Sequence, residues 1–155
     1  MKRGKKHNKT KSFRKQLKDN LESRQNVQGY YPTPMAVAHW FPKLNSILFG
    51  NKLGRVHIEI KKIHKDWGRC VADWDARWAP AGRFDQRKIP YHVPVYYYIQ
   101  LHNKFPTWKD FIETLAHEMV HLYQMTVLKD PYSNHNENFY AFKPKFENAG
   151  LRLYR

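Results

Sequence analysis

A chain of 155 residues with 41% hydrophobic content has enough apolar material for one compact domain and an appendage, and too little for two domains. Its formal net charge of +15 disfavours basic partners and favours phosphate-rich or acidic ones. The single cysteine, Cys70, excludes an internal disulfide framework and a four-cysteine zinc ribbon, so any metal must be held by His, Asp or Glu.

The charge is concentrated at the N-terminus. Residues 1–18 hold nine Lys/Arg and no acid, which leaves 19 basic against 13 acidic residues, or +6, on the rest. This lysine-rich start has no apolar stretch of the kind a secretory signal needs, and no apolar run reaches the ~18 residues of a membrane span. A cytoplasmic or nucleoid location without membrane contact is expected. From Ser12 onward Phe13, Leu17 and Leu21 recur four apart, which predicts a short basic amphipathic helix. It either docks on the domain through those residues or meets nucleic acid, with Lys5, Lys6, Lys11, Arg14 and Lys15 as candidate contacts; both can hold together. Gln28 to Pro34, with its glycine and prolines, reads as a linker. Residues 1–30 are thus taken as arm and linker, and 31–155 as the domain.

Thr33-Pro34 is an N-cap and first helical position, followed by Met35, Val37, Ala38, Trp40, Phe41, Leu44, Ile47 and Leu48, with Gly50 as the stop. Pro42 is expected to kink or split this helix. After Gly54 the alternation of Val56, Ile58 and Ile60 with His57, Glu59 and Lys61 predicts a half-buried strand. Further strands are expected from Arg69 to Trp74 and from His92 to Leu101. Between them, Asp75 to Tyr91 interleaves Arg77, Trp78 and Arg83 with other cations and aromatics. That composition suits base stacking and phosphate contact, or equally a hairpin end folded back on the domain.

Thr107 is the N-cap of a helix running toward Lys129, with Asp110 near its positive end. Phe111, Leu115, Met119, Leu122 and Thr126 form one stripe, widened by Ile112. Beside it lie His117-Glu118-Met119-Val120-His121. Four residues advance a helix by about 400°, so the two imidazoles project along nearly the same line and can share an ion. Glu118 sits at the edge of that face and can reach a metal-bound water without ligating. Two His, a third protein group and an open water position are what metal-assisted hydrolysis requires. Zinc lowers the water's pKa toward ~7, and the carboxylate takes its proton and later delivers it to the leaving amine. Zinc suits a His-rich tetrahedral site. An accidental pair of histidines is the alternative, but unpaired polar groups beside a buried stripe would be costly.

The third ligand must come from downstream, where His135, Glu137 and Glu147 are the candidates. The compact HExxHxxGxxH arrangement is absent, since Gln124 stands at its glycine position and Val127 at its third histidine. His135 follows a turn-forming stretch and opens a helical pattern with Phe139, Phe142 and Phe146 facing the core; Glu147 would give a His/His/Glu set. Pro144 is expected to bend this last helix, and Gly150 to end it. Tyr132 and Tyr91 are the candidates for an oxyanion stabiliser.

Thr114-Leu115-Ala116-His117-Glu118-Met119-Val120-His121, then His135-x-x-x-Phe139 and Asn148-Ala149-Gly150-Leu151, resembles the SprT-like, or Spartan, domain. Leu44-Asn45-x-x-Leu48-Phe49-x-x-x-Leu53 is similar to that family's opening helix, so the resemblance covers about residues 35–153. It implies a zincin-like α+β fold with a small antiparallel sheet packed on the metal helix. It also implies one zinc held by His117, His121 and His135, with Glu118 as general base, and proteolysis of DNA-associated proteins by a zinc metalloendopeptidase; a monomer is expected. Asn136 departs from the glycine that usually follows the third histidine. A C-terminal zinc ribbon or recruiting tail is not seen before Arg155, so the basic arm, or the loop around Trp78 and Arg83, is expected to recruit substrate. The short, highly basic form is similar to phage-encoded versions.

Two other classes compete with the enzyme. In one, zinc only ties two helices of a nucleic-acid-binding module. In the other, a packaging protein neutralises phosphate and the motif is vestigial. The intact Glu118 favours the enzyme, because a structural site has no need of a carboxylate beside its ligands.

Overall fold

The computed structural model describes residues 2–75, 77, 88–130 and 134–154, with side chains from residue 9 onward. The chain forms an α+β fold. In order it contains α1 (Lys2–Ser23), β1 (Gln28–Tyr30), α2 (Pro34–Phe49), β2 (His57–Ile60), β3 (Gly68–Asp73), β4 (Tyr96–Leu101) and β5 (Phe105–Thr107). These are followed by α3 (Trp108–Thr126), α4 (Glu137–Tyr140) and α5 (Lys143–Asn148).

The basic N-terminal helix docks. Leu17 is fully buried in the core, with Phe13 and Leu21 packed against it. Thr10 and Ser46 hydroxyls meet at 2.7 Å, and Lys43 Nζ donates to Gln16 Oε1 at 2.7 Å while lying over the Phe13 ring. These contacts seat α1 on α2. The segment expected as a linker instead contains β1, which pairs antiparallel with β5 (Gln28↔Thr107, Tyr30↔Phe105). Gly29 makes this possible by adopting φ +71°, a region other residues rarely enter.

In α2 the Thr33 side chain accepts from the Ala36 N–H, and Gly50 closes the helix at φ 58°. Pro42 does not split it. Pro42 and Ala38 both lie on the exposed face, where water can take the hydrogen bond that proline leaves unmade. Asn45, buried on the inner face, donates to Leu53 O at 2.9 Å and accepts from Leu53 N at 3.1 Å. That exchange ties the helix to the chain entering β2.

The main sheet has the order β2-β4-β3. Instead of the expected antiparallel sheet the chain forms a mixed one: β3 runs antiparallel to β4, but β2 runs parallel to it. The turn after Ile60 passes over the Leu101 end of β4, and Gly68 starts β3 opposite that same Leu101. β4 then enters between its two predecessors. Alternation of apolar residues marks a half-buried strand and carries no information on partner direction. The strand expected from His92 begins only at Tyr96, after Pro94, which has no N–H for the ladder.

Against this sheet lies α3, with Phe111, Ile112, Leu115, Ala116, Met119, Val120 and Leu122 all buried. Thr107 Oγ1 accepts from Asp110 N at 3.1 Å and sits 2.7 Å from its carboxylate, which fixes the first turn. Downstream, one bent helix was expected. The chain forms two short ones instead, because Pro144 opens α5 rather than interrupting a longer helix. Among the described residues no helix is long and apolar enough to cross a membrane.

Candidate metal centre

His117 and His121 project from one side of α3, one turn apart, and the turn before α4 brings His135 to them. Their ring centroids form a near-equilateral triangle with sides of 5.2, 5.1 and 5.1 Å. Phe139, fully buried, lies 4.6 to 5.1 Å from all three centroids and forms a common apolar floor. The (i, i+4) spacing of His135 and Phe139 was legible in the sequence; the role of Phe139 beneath the imidazoles was not.

The residues present fit a metal ion. One nitrogen from each of the three histidines lies within 4.8 Å of the other two, the one such group of three donors among the described residues. Nε2 of His117 and of His135 are 3.3 Å apart. Two imidazoles at ~2.05 Å from a tetrahedral zinc would sit about 3.3 Å apart. The outer nitrogens are engaged as well: His121 Nδ1 meets Gln124 Oε1 at 2.9 Å, and His117 donates to the backbone carbonyl of Tyr154. Ring nitrogens held in this way leave Nε2 lone pairs for a metal. Burial first, then the neighbouring His121 and His135, push His117 down to about 3, so it stays neutral and ready to ligate. Glu137 and Glu147, the other sequence candidates for third ligand, are exposed and stand outside this group.

Glu118 lies where α3 meets β3, lines the same cleft as the histidines, and is only 7% exposed. Its carboxylate accepts from the backbone N–H of Cys70 in β3. Burial first, and then Asp66, push it up to about 8. The close approach depends on Gly68. A Cβ there would lie 2.9 Å from Thr114 Cγ2 and 3.1 Å from Glu118 Cγ. The strand thus starts one residue before the expected Arg69, and the need for glycine is set by α3 and not by any local pattern.

A cleft of about 400 Å³ joins these groups. Its lining includes Asp66, Trp67, Glu118 and the three histidines, and, from the C-terminal segment, Arg152 and Tyr154. Leu151 and Leu153 are buried at 2% and 4%, which turns Arg152 and Tyr154 outward into the cleft. Arg152 is anchored on Glu113, one turn before His117: its backbone N donates at 2.7 Å and its guanidinium at 2.8 Å. The period-two alternation at residues 151–154 was the signal that could have found Tyr154. Tyr91, considered for the oxyanion, is fully exposed and lines a separate groove with Val93 and Lys129. Tyr132 lies outside the described residues.

Of the expected nucleic-acid contacts, Lys11, Arg14 and Lys15 are exposed on α1, joined there by Lys18. The Lys5 and Lys6 side chains lie outside the description, as do Trp78 and Arg83. Arg77 is paired with Asp75, its guanidinium donating to that carboxylate at 2.6 to 3.1 Å. This partner, two residues upstream, offsets the charge expected to reach phosphate.

A family model described as SprT-like matches residues 37–153. No curated protein and no solved structure matches the chain. The match spans most of the chain, including α3 with His117, Glu118 and His121 and the turn carrying His135, and the chain belongs to the SprT-like family, whose domains are zinc metallopeptidase-like.

Proposed function

We propose that the chain is a zinc-dependent metalloendopeptidase of the zincin-like type acting on proteins associated with DNA. The observation that carries this reading is the buried Glu118 carboxyl beside a group of three histidines that opens into a cleft. A metal that only tied two helices together would need no such carboxylate and no open side.

His117, His121 and His135 would hold the ion. When bound, zinc supplies Lewis acidity and brings the pKa of a water toward ~7. Burial raises Glu118 above the ordinary carboxylate range; a cation held by the three histidines would favour its ionised form, leaving a general base matched to near-neutral pH. Glu118 takes the proton of the attacking water and returns it to the amine nitrogen as the C–N bond breaks. The Cys70 N–H holds one side of the carboxylate during both transfers. Burial pushes the Tyr154 phenol up, so it keeps its proton at neutral pH and remains a hydrogen-bond donor in the cleft.

Association with DNA is supported by the docked α1, which buries Leu17 and leaves Lys11, Arg14, Lys15 and Lys18 in solvent. A fixed row of cations on the catalytic body would raise the local concentration of a DNA-bound substrate. The test is cleavage of a DNA-binding protein with and without DNA, and with and without a chelator. Cleavage that requires both metal and DNA is expected. Metal uptake with no cleavage of any DNA-bound protein would refute the reading.

A further inference from the structure

Gln124 lies one turn beyond His121 on α3 and is fully buried. Its side-chain amide faces two ways. Nε2 is directed at three oxygen acceptors, Asn134 O at 2.9 Å, Asn136 Oδ1 at 3.0 Å and Asp130 Oδ2 at 3.3 Å. With the amide nitrogen committed to them, Oε1 is the atom left 2.9 Å from His121 Nδ1. An amide oxygen only accepts, so Nδ1 of His121 carries the ring proton and Nε2 carries the lone pair.

The other arm of this residue grips the turn that carries His135. Asn134 and Asn136 flank that histidine, and both bond to Gln124. Asn136 also donates to Asp130 Oδ2 at 2.7 Å and caps α4 by accepting from Phe139 N at 3.2 Å. Asp130 itself is 5% exposed, receives Asn138 Nδ2 at 3.2 Å, and donates its backbone N–H to Gln124 O at 2.8 Å. Asparagine at position 136 is therefore a working member of the network. It joins the cap of α4 to the amide behind His121, which glycine has no side chain to do.

We infer that Gln124 is a positioning residue for two metal ligands at once, fixing the tautomer of His121 and the placement of His135 before any ion arrives. This rests on the three-histidine metal reading. A buried network in which each member is satisfied holds one arrangement, because any rearrangement strands a polar group in a dry interior. Outer partners of metal-bound histidines act on affinity in this way.

The test compares zinc affinity, by competition with a chromophoric chelator, in wild type, Gln124→Leu and Gln124→Glu, together with the visible absorption spectrum of the cobalt-loaded proteins. Glutamate keeps an acceptor for His121 but has no N–H for the His135 turn, so it removes one arm where leucine removes both. Both variants should bind one ion about 10–100-fold more weakly than wild type and show an altered cobalt spectrum, which a merely structural role would leave unchanged. Wild-type affinity with an unaltered spectrum in Gln124→Leu would overturn this inference alone, whereas wild-type protein that takes up no zinc would overturn the metal reading as well. Should neither variant fold, imidazole nitrogen shifts of metal-free wild type above pH 7 decide the matter: His121 protonated on Nδ1 is expected, and on Nε2 would refute it.

Discussion

Nε2 of His117 and Nε2 of His135 stand 3.3 Å apart in the folded chain although eighteen residues separate them in sequence. Two ring nitrogens this close both point lone pairs at one small volume unless a proton or a cation lies between them. The His117 ring also donates to the backbone carbonyl of Tyr154. The separation is thus set from outside the site, by α3 on one side and by the C-terminal segment and the α4 turn on the other.

Gly68→Ala should impair Glu118 without emptying the metal site. The added methyl would press on Thr114 Cγ2, Glu118 Cγ and Gln100 O at 2.9, 3.1 and 3.3 Å. The overpacking is expected to cost roughly 1–3 kcal/mol and to displace the carboxylate. Cleavage should fall by at least about tenfold, a part of the ~10²–10⁴-fold that a positioned acid–base group contributes, while zinc content stays at the wild-type level. Parallel rate and metal assays check this.

Arg152→Ala should destabilise the fold through Glu113. That carboxylate is 3% exposed and takes both the guanidinium and the backbone N–H of residue 152. Removing the guanidinium leaves a buried charge with only part of its partners. Because more than half of the Arg152 side chain is in solvent, the loss should fall below the usual range for a buried pair, at roughly 2 kcal/mol. The denaturant midpoint reports it.

Metal-free protein should show opposite pH responses from two neighbours on α3. His117 is held down at about 3 against 6.5 unfolded, so its contribution is complete above pH 6.5 and is lost as pH falls toward 3. Glu118 is raised to about 8 from 4.5, so its contribution is complete below pH 4.5 and is lost as pH rises through 8. Together they give a plateau between about 4.5 and 6.5. Glu118→Gln should abolish the alkaline fall, gaining on the order of 5 kcal/mol over wild type by pH 9. Urea titrations of the apoprotein across this range test the sign.

On α1, binding and docking should separate cleanly. Replacing Lys11, Arg14 and Lys15 by Gln should weaken DNA binding and lower the slope of log affinity against log salt by up to ~2.7, since each neutralised duplex phosphate contributes about 0.9. Stability should hardly change, because all three are exposed. Leu17→Ala should do the reverse, costing roughly 2–5 kcal/mol because that side chain is fully buried. Salt-dependent binding curves and thermal melts of the two variants distinguish the roles.

Much of the site was legible because helical spacing is a local property. His117, Glu118 and His121 need only the 3.6-residue period to be placed, and Thr107, Thr33 and Gly50 mark their helix ends through backbone chemistry that reads directly from residue type. What was not legible depended on long-range pairing. The parallel partner of β2 is chosen by a strand some forty residues on, and Gly68 is required by α3, which packs directly on it but lies far along the chain. The linker became β1 because β5 offered it an edge. Gln124 looked like a missing glycine until the turn bearing His135 closed over it.

The most direct test of the metal centre is elemental analysis of purified wild type beside His135→Ala and Glu118→Gln. One zinc per chain in wild type, lost in His135→Ala and kept in Glu118→Gln, is the expected result. No stoichiometric metal in wild type, or full zinc retained by His135→Ala, would contradict the three-histidine site and with it the proposed chemistry.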